Sequence, residues 1–207
     1  MKKSITRLGV AGAILLCVLP VRAQNLKLES GSLEFLKGEK CLNLEYVYDG
    51  LTVGKLPEQA YIDTKVAEMN KKEAGKGDQW LVQWKGDRER RFQPKFEELL
   101  NKQFTERKVV LQAGKNPDAK YTLLLKTTML EPGFNVAIMR RPAGVSTEVT
   151  IFETKNRSKP LAQITILDAP GQDAMGYDFD TGYRLQEGFA KTGKELGKFL
   201  CKKALLK

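Results

Sequence analysis

The sequence contains no histidine. That single absence excludes Ser-His-Asp and Cys-His nucleophile pairs, an imidazole general base near neutral pH, and every His-ligated zinc, iron or copper site. Catalysis would have to rest on carboxylates, lysine, tyrosine or a bound cofactor. Cysteine is scarce, at three in 207 residues, so the chain is no disulfide-dense scaffold. Tryptophan occurs only twice. There is no phosphate loop, dinucleotide fingerprint, Cys-x-x-Cys pair, internal repeat or proline-rich linker. The sequence therefore implies no cofactor and no metal. What is present, 42% hydrophobic and 29% charged residues, is the composition of an ordinary globular protein.

The first 23 residues read as a secretory signal peptide. Lys2, Lys3 and Arg7 precede an apolar run from Gly9 to Leu19, and Val21-Arg22-Ala23 offers a cleavage pattern, leaving 24–207 as a single domain. The run is too short to span a bilayer. Cys17 is preceded by Leu16 where lipid attachment needs a small residue, so it reads as part of the apolar run. Cleavage lowers the net charge from +10 to +6 and leaves two cysteines, Cys41 and Cys201. In an oxidising compartment they can form a disulfide, worth roughly 5 kcal/mol for so long a loop, or they can remain two buried thiols. The sequence leaves both open.

Hydrophobic periodicity gives the architecture. Ser32 to Leu36, the turn Lys37–Lys40 and Cys41 to Tyr48 predict an opening hairpin. Pro57 starts a helix that ends at Gly75–Gly77, Asp78 caps a short helix holding Trp80 and Trp84, and a third begins near Gln93. Tyr121–Leu130, Val145–Glu153 and Leu161–Asp168 predict strands, with a shorter one at Val109–Gln112. The last two long strands read as an antiparallel hairpin. Leu123-Leu124-Leu125 is apolar on both faces, as in a central strand. A helix from Thr181 to Leu205 closes the chain, with Gly193 and Gly197 inside its apolar arc, which calls for close packing on a neighbour. Its lysines read as a solvated face that also suits the helix C-terminus. The fold expected is α+β: a mainly antiparallel sheet with helices on one face, a long C-terminal helix and room for one parallel neighbour.

Few constellations carry chemistry. Asp180-Thr181-Gly182 resembles the aspartic-protease triplet, but Asp178-Phe179 before it and Tyr183 after it depart from that pattern, and a helix cap explains it better. Asp168, Asp173, Asp178 and Asp180 gather without the spacing of a calcium loop. Basic residues cluster at Lys71-Lys72, Arg88 to Arg91 and Arg140-Arg141. Export argues against nucleic acid as their partner, leaving lipid head groups and anionic glycans. Arg140 and Arg141, on a loop between strands, are the candidate anion-binding pair. Trp80 and Trp84 are candidates for stacking on a sugar or peptide, set against a plain core role.

Phe35-Leu36-Lys37-Gly38, Gly75 to Trp80, Glu131 to Val136, Arg140-Arg141-Pro142-Ala143 and Gly193 to Phe199 together resemble uncharacterised exported proteins of Gram-negative bacteria, across nearly the whole mature chain. The element order is more distantly similar to small periplasmic α/β modules such as the curli-secretion lipoprotein and the lipoprotein activators of cell-wall synthases. The resemblance implies a periplasmic or outer-membrane-associated protein that assists an envelope machine. The resulting expectation is an exported binding or accessory protein, leaning away from an enzyme, with an envelope protein or an anionic glycan or lipid as partner. The alternatives are a carboxylate- or tyrosine-based hydrolase centred on Asp168–Asp180 with Tyr177 and Tyr183, or a structural component that binds anionic glycan or lipid. The oligomeric state is not legible.

Overall fold

A computed structural model of the chain describes residues 25–136, 139–171 and 180–206. The signal segment with Cys17, and Asp173, Tyr177 and Asp178, lie outside the described residues. The strands are β1 (Asn25–Gly31), β2 (Cys41–Val47), β3 (Thr52–Val53), β4 (Leu56–Pro57), β5 (Gln112–Gly114), β6 (Tyr121–Glu131), β7 (Phe134–Val136), β8 (Met139–Arg141), β9 (Ala143–Glu153) and β10 (Ala162–Gly171). The helices are α1 (Glu58–Lys72), α2 (Lys76–Asp87), α3 (Gln93–Glu106) and α4 (Thr181–Leu200). A π-type turn, Arg88–Phe92, joins α2 to α3, and another, Cys201–Leu205, extends α4.

The sheet runs β1-β10-β9-β6-β2-β5, with β3 added beside β6 and β4 beside β3. Its long pairs β1/β10, β10/β9 and β9/β6 are antiparallel, while β2 pairs parallel with both β6 and β5. This is the α+β class expected, with more parallel pairing than one neighbour. β7 and β8 form a separate ribbon.

Alternation sorts the faces. Leu123, Leu125, Val149, Ile151, Ile164 and Ile166 are buried beneath helices, while Lys126, Glu148, Thr165 and Lys27 stand in one row across the other face. An antiparallel sheet tolerates one wet face. Leu124 lies on that face and is half-buried, so the apolar triplet is not enclosed on both sides as expected.

The opening hairpin is a correction. Leu33 and Leu36 are buried at spacing three, which suits the single 3-10 turn found at Glu34–Leu36, not a strand. The first strand lies earlier, where Leu26 and Leu28 alternate with Lys27 and Glu29, and it pairs with β10. Two boundaries also move. Gly75, at φ +80, precedes α2 where Asp78 was the expected cap, and the short strand is Gln112–Gly114.

α3 and α4 run parallel on the covered face. Phe92 stacks on Phe189 with centroids 4.8 Å apart. Further along, a Cβ on Gly193 would collide with the Phe96 carbonyl, and one on Gly197 would lie 2.7 Å from the Gln103 Cβ. Both glycines are therefore required by the close approach read from the sequence. Cys41 and Cys201 are free thiols rather than a disulfide pair. Cys201 is buried, which raises its thiol pKa and makes it inert, with Sγ 3.9 Å from the Gln103 carbonyl oxygen. Among the described residues, no helix is long and apolar enough to cross a membrane.

Candidate binding surface

α1 and α2 form a hairpin that packs mainly on itself. α1 fully buries only Ile62. Gly77 closes the hairpin tip: its N–H donates to Asn70 Oδ1 at 2.7 Å, and its missing side chain lets α2 lie on the Val66 backbone. At the base, Trp84 is buried and its Nε1–H donates to Glu58 Oε1 at 2.7 Å. The Arg88 guanidinium also donates to Glu58 and lies 4.3 Å over the Tyr48 ring. A buried indole N–H needs an acceptor, and Glu58 supplies one while also accepting from Arg88.

Trp80, one turn before Trp84, stacks on it with centroids 5.5 Å apart and an interplanar angle of 24°. Tyr61 packs against both indoles, 6.0 Å from Trp80 and 5.4 Å from Trp84. Trp84 is thus an anchor, as the core reading had it. Trp80 and Tyr61 are partly buried against the core and form the outer part of a platform that Trp84 fixes from behind.

The second sequence-derived pair lies near the same platform. Burial and then the Glu131 carboxylate raise the pKa of Tyr61, so β6 ends within electrostatic reach of the aromatics. Glu131 Oε2 pairs with Arg141 Nη2 at 2.7 Å, and Glu131 Oε1 accepts the Gly133 N–H at 3.1 Å. Arg141 itself is exposed, opposite the exposed Phe134 across the β7/β8 ribbon. Arg140 pairs with Asn135 through its backbone, and its side chain lies outside the described residues. Glu131 thus links Arg141 to the neighbourhood of Tyr61, where Arg184, donating to the Pro132 carbonyl, is a second basic group.

The Arg88–Arg91 cluster is spoken for internally. Arg91 bridges Asp87 at 3.3 Å and Asp180 at 2.9 Å, and Arg90 lies 3.6 Å from Asp87. Asp180 caps α4, accepting from the Gly182 N–H at 2.8 Å and the Tyr183 N–H at 3.3 Å, as its position in the sequence implied. Partial burial pushes the Asp180 carboxyl up, but Arg91 and the two N–H donors outweigh it and hold it below its ordinary value. Asp87 goes the other way: burial raises it more than Arg91 and Arg90 lower it. These two carboxylates fasten the first turn of α4 to the α2–α3 junction. Asp168 stands apart from them, exposed in the β10 bulge at φ +53, its N–H donating to Ser146 Oγ. Tyrosines also move away from nucleophilic duty. Burial pushes Tyr48 up to about 12 and carries Tyr46, which donates to Glu97, further still.

Sequence reasoning missed Tyr61, Glu58 and Phe134. The available signal was chemical: a tryptophan in a core position asks for an acceptor, and Glu58 is the acid opening the preceding helix.

No protein-family model matches the chain, and no curated protein matches it. Among solved structures, the PelC dodecamer from Paraburkholderia phytofirmans is similar over 83% of this chain and 96% of its own, at 9% identity and a TM-score of 0.37. A point variant of that dodecamer in another crystal form is similar over 84% and 98%, at 10% identity and a TM-score of 0.40.

Proposed function

We propose that this is an exported, non-enzymatic binding or accessory protein of the cell envelope, and that it meets its partner through the Trp80–Tyr61 platform with Phe134 and Arg141 beside it. The observation that carries the reading is the division of labour between two stacked tryptophans. Trp84 is buried and hydrogen-bonded, whereas Trp80, stacked on it, is only partly buried and keeps a minor part of its surface in solvent. An aromatic held that way offers a large flat contact at low entropic cost, suited to the apolar face of a sugar ring or to a peptide side chain. Arg141, anchored by Glu131, adds a hydrogen-bonding charge for an anionic group on the same partner. The export signal and the resemblance to envelope accessory proteins support the compartment.

Both tryptophans of the chain lie in this cluster, so their emission reports on it directly. The full chain is titrated with peptidoglycan fragments, lipopolysaccharide and a neutral glucan oligosaccharide. A saturable emission change with at least one of them is expected, abolished in Trp80→Ala and weakened in Arg141→Ala, with far-UV circular dichroism unchanged. No saturable change with any of the three, or release of a product from one of them, overturns the proposal.

A further inference from the structure

The charge of the chain is unevenly placed. Residues 191–207 hold six lysines and one glutamate, while residues 24–190 hold 25 basic and 24 acidic residues. Nearly the whole excess of the mature chain therefore lies in residues 191–207, which begin in the second half of α4. Within it, Lys198 pairs with Glu195 at 2.8 Å, and Lys191 lies 3.7 Å from the same carboxylate. Burial raises the Glu195 carboxyl, and Lys198, Lys191 and Lys194 together hold it lower. Lys202 and Lys203 are exposed. The helix dipole accounts for cations in the last turn only, and this series begins well before it.

Because α3 and α4 are parallel, their C-terminal ends meet at one end of the molecule. Cys201 reaches the Gln103 carbonyl there, and Arg107 is close enough to influence Cys201. Past α3 the chain turns through Lys108, at φ +57, and leaves Val110 76% exposed. Past α4 it leaves Leu206 55% exposed. The acids at this end include Glu106, within 4.0 Å of Lys102 and Arg107, Glu195, Glu34 on the turn that packs against Cys201–Leu205, and Glu39 just after that turn, 3.6 Å from Lys120. The basic groups outnumber them. Exposed aliphatics beside unneutralised lysines are the combination that binds at a bilayer interface, where charge attracts the head groups and apolar side chains enter between them. A soluble polyanion would use the lysines and gain nothing from Val110 or Leu206.

We propose that the shared C-terminal end of α3 and α4 docks the protein peripherally on an anionic lipid surface. Lys108, Lys202 and Lys203 lie over the head groups, and Val110 and Leu206 enter the interface. This surface is remote in the fold from Trp80 and independent of the role given to it.

The full chain is sedimented with vesicles of phosphatidylethanolamine and phosphatidylglycerol, and with vesicles of phosphatidylcholine alone. Residues 1–23 are then common to every variant. Preferential binding to the anionic vesicles is expected, falling as salt is raised. Lys202→Gln with Lys203→Gln lowers affinity about 25-fold, at about fivefold per charge. Leu206→Ser with Val110→Ser lowers it further, and Trp80→Ala leaves it unchanged. Equal binding to both vesicle types overturns the proposal. So does binding to heparin that is sensitive to the lysines while the Leu206 and Val110 changes leave vesicle binding untouched, which would assign the end to a soluble polyanion.

Discussion

α4 and α1 are both long helices, yet they are held in different ways. α4 buries 11 of its 20 residues, between the sheet on one side and α3 on another, and its first turn is fastened by Asp180, Arg91 and Asp87. α1 buries one residue of 15 and depends on α2, which in turn depends on Trp84. Burial on that scale fixes α4 as part of the core, whereas the α1–α2 hairpin joins the core through Ile62 and Trp84 and packs its other apolar residues only partly buried. The hairpin nevertheless carries Trp80, Tyr61 and the 70% exposed Val82. Apolar and aromatic surface is thus left partly in solvent on the hairpin, whereas α4 encloses its own.

Substitutions on the two sides should separate accordingly. Phe189→Ala removes the ring stacked on Phe92 in the fully buried α3/α4 seam and should cost about 3–5 kcal/mol, read as a lower urea midpoint for the whole molecule. A cost below about 1 kcal/mol would show that the seam is not the core described. Ile62→Ala, the counterpart in α1, should cost about 2 kcal/mol, the low end for such a truncation because the hairpin can settle around the gap. Its effect should fall on hairpin amides first.

Asp180→Ala should cost about 1 kcal/mol at pH 7 from the lost cap. Since the folded carboxyl lies below its unfolded value, near 3.9, its contribution is present above that value and lost as pH falls through the folded one. The deficit of the variant should therefore be constant above about pH 5 and shrink in more acid solution. Asp87, raised by burial, titrates with the opposite sign: protonation on acidification favours the fold. A deficit that grows as pH falls would reverse the assignment. The smallest effect is expected from Arg157→Ala. Its two hydrogen bonds to Glu45, at 2.9 and 2.6 Å, are exposed and screened by solvent, so the urea midpoint should be unchanged within error.

The same contrast explains what could be read from the sequence. The α4 seam was legible because its signals are local: an apolar arc at helical spacing, two glycines inside it, and an acid at the start. Burial of Trp84 was legible too. The opening strand was misplaced because Leu33 and Leu36 look like strand residues until their spacing of three is taken as a single turn. The pairing of β1 with β10 joins positions as distant as Asn25 and Leu167, and no short-range signal encodes it. The candidate surface was half legible. Trp80, Trp84 and Arg141 stood out as residue types. What surrounds them depends on the end of β6 bringing Glu131 near Tyr61, and on Arg88 folding back to Glu58, which only the assembled fold supplies.

Hydrogen exchange of the full chain, followed by mass spectrometry with and without a glycan preparation that shifts Trp80 emission, tests the division between body and hairpin most directly. The expected result is that amides of residues 58–87 exchange together and earlier than those of 93–106 and 181–200, and that the preparation slows the hairpin while leaving α4 unchanged. Equal protection of hairpin and α4, or slowing confined to α4, would contradict it.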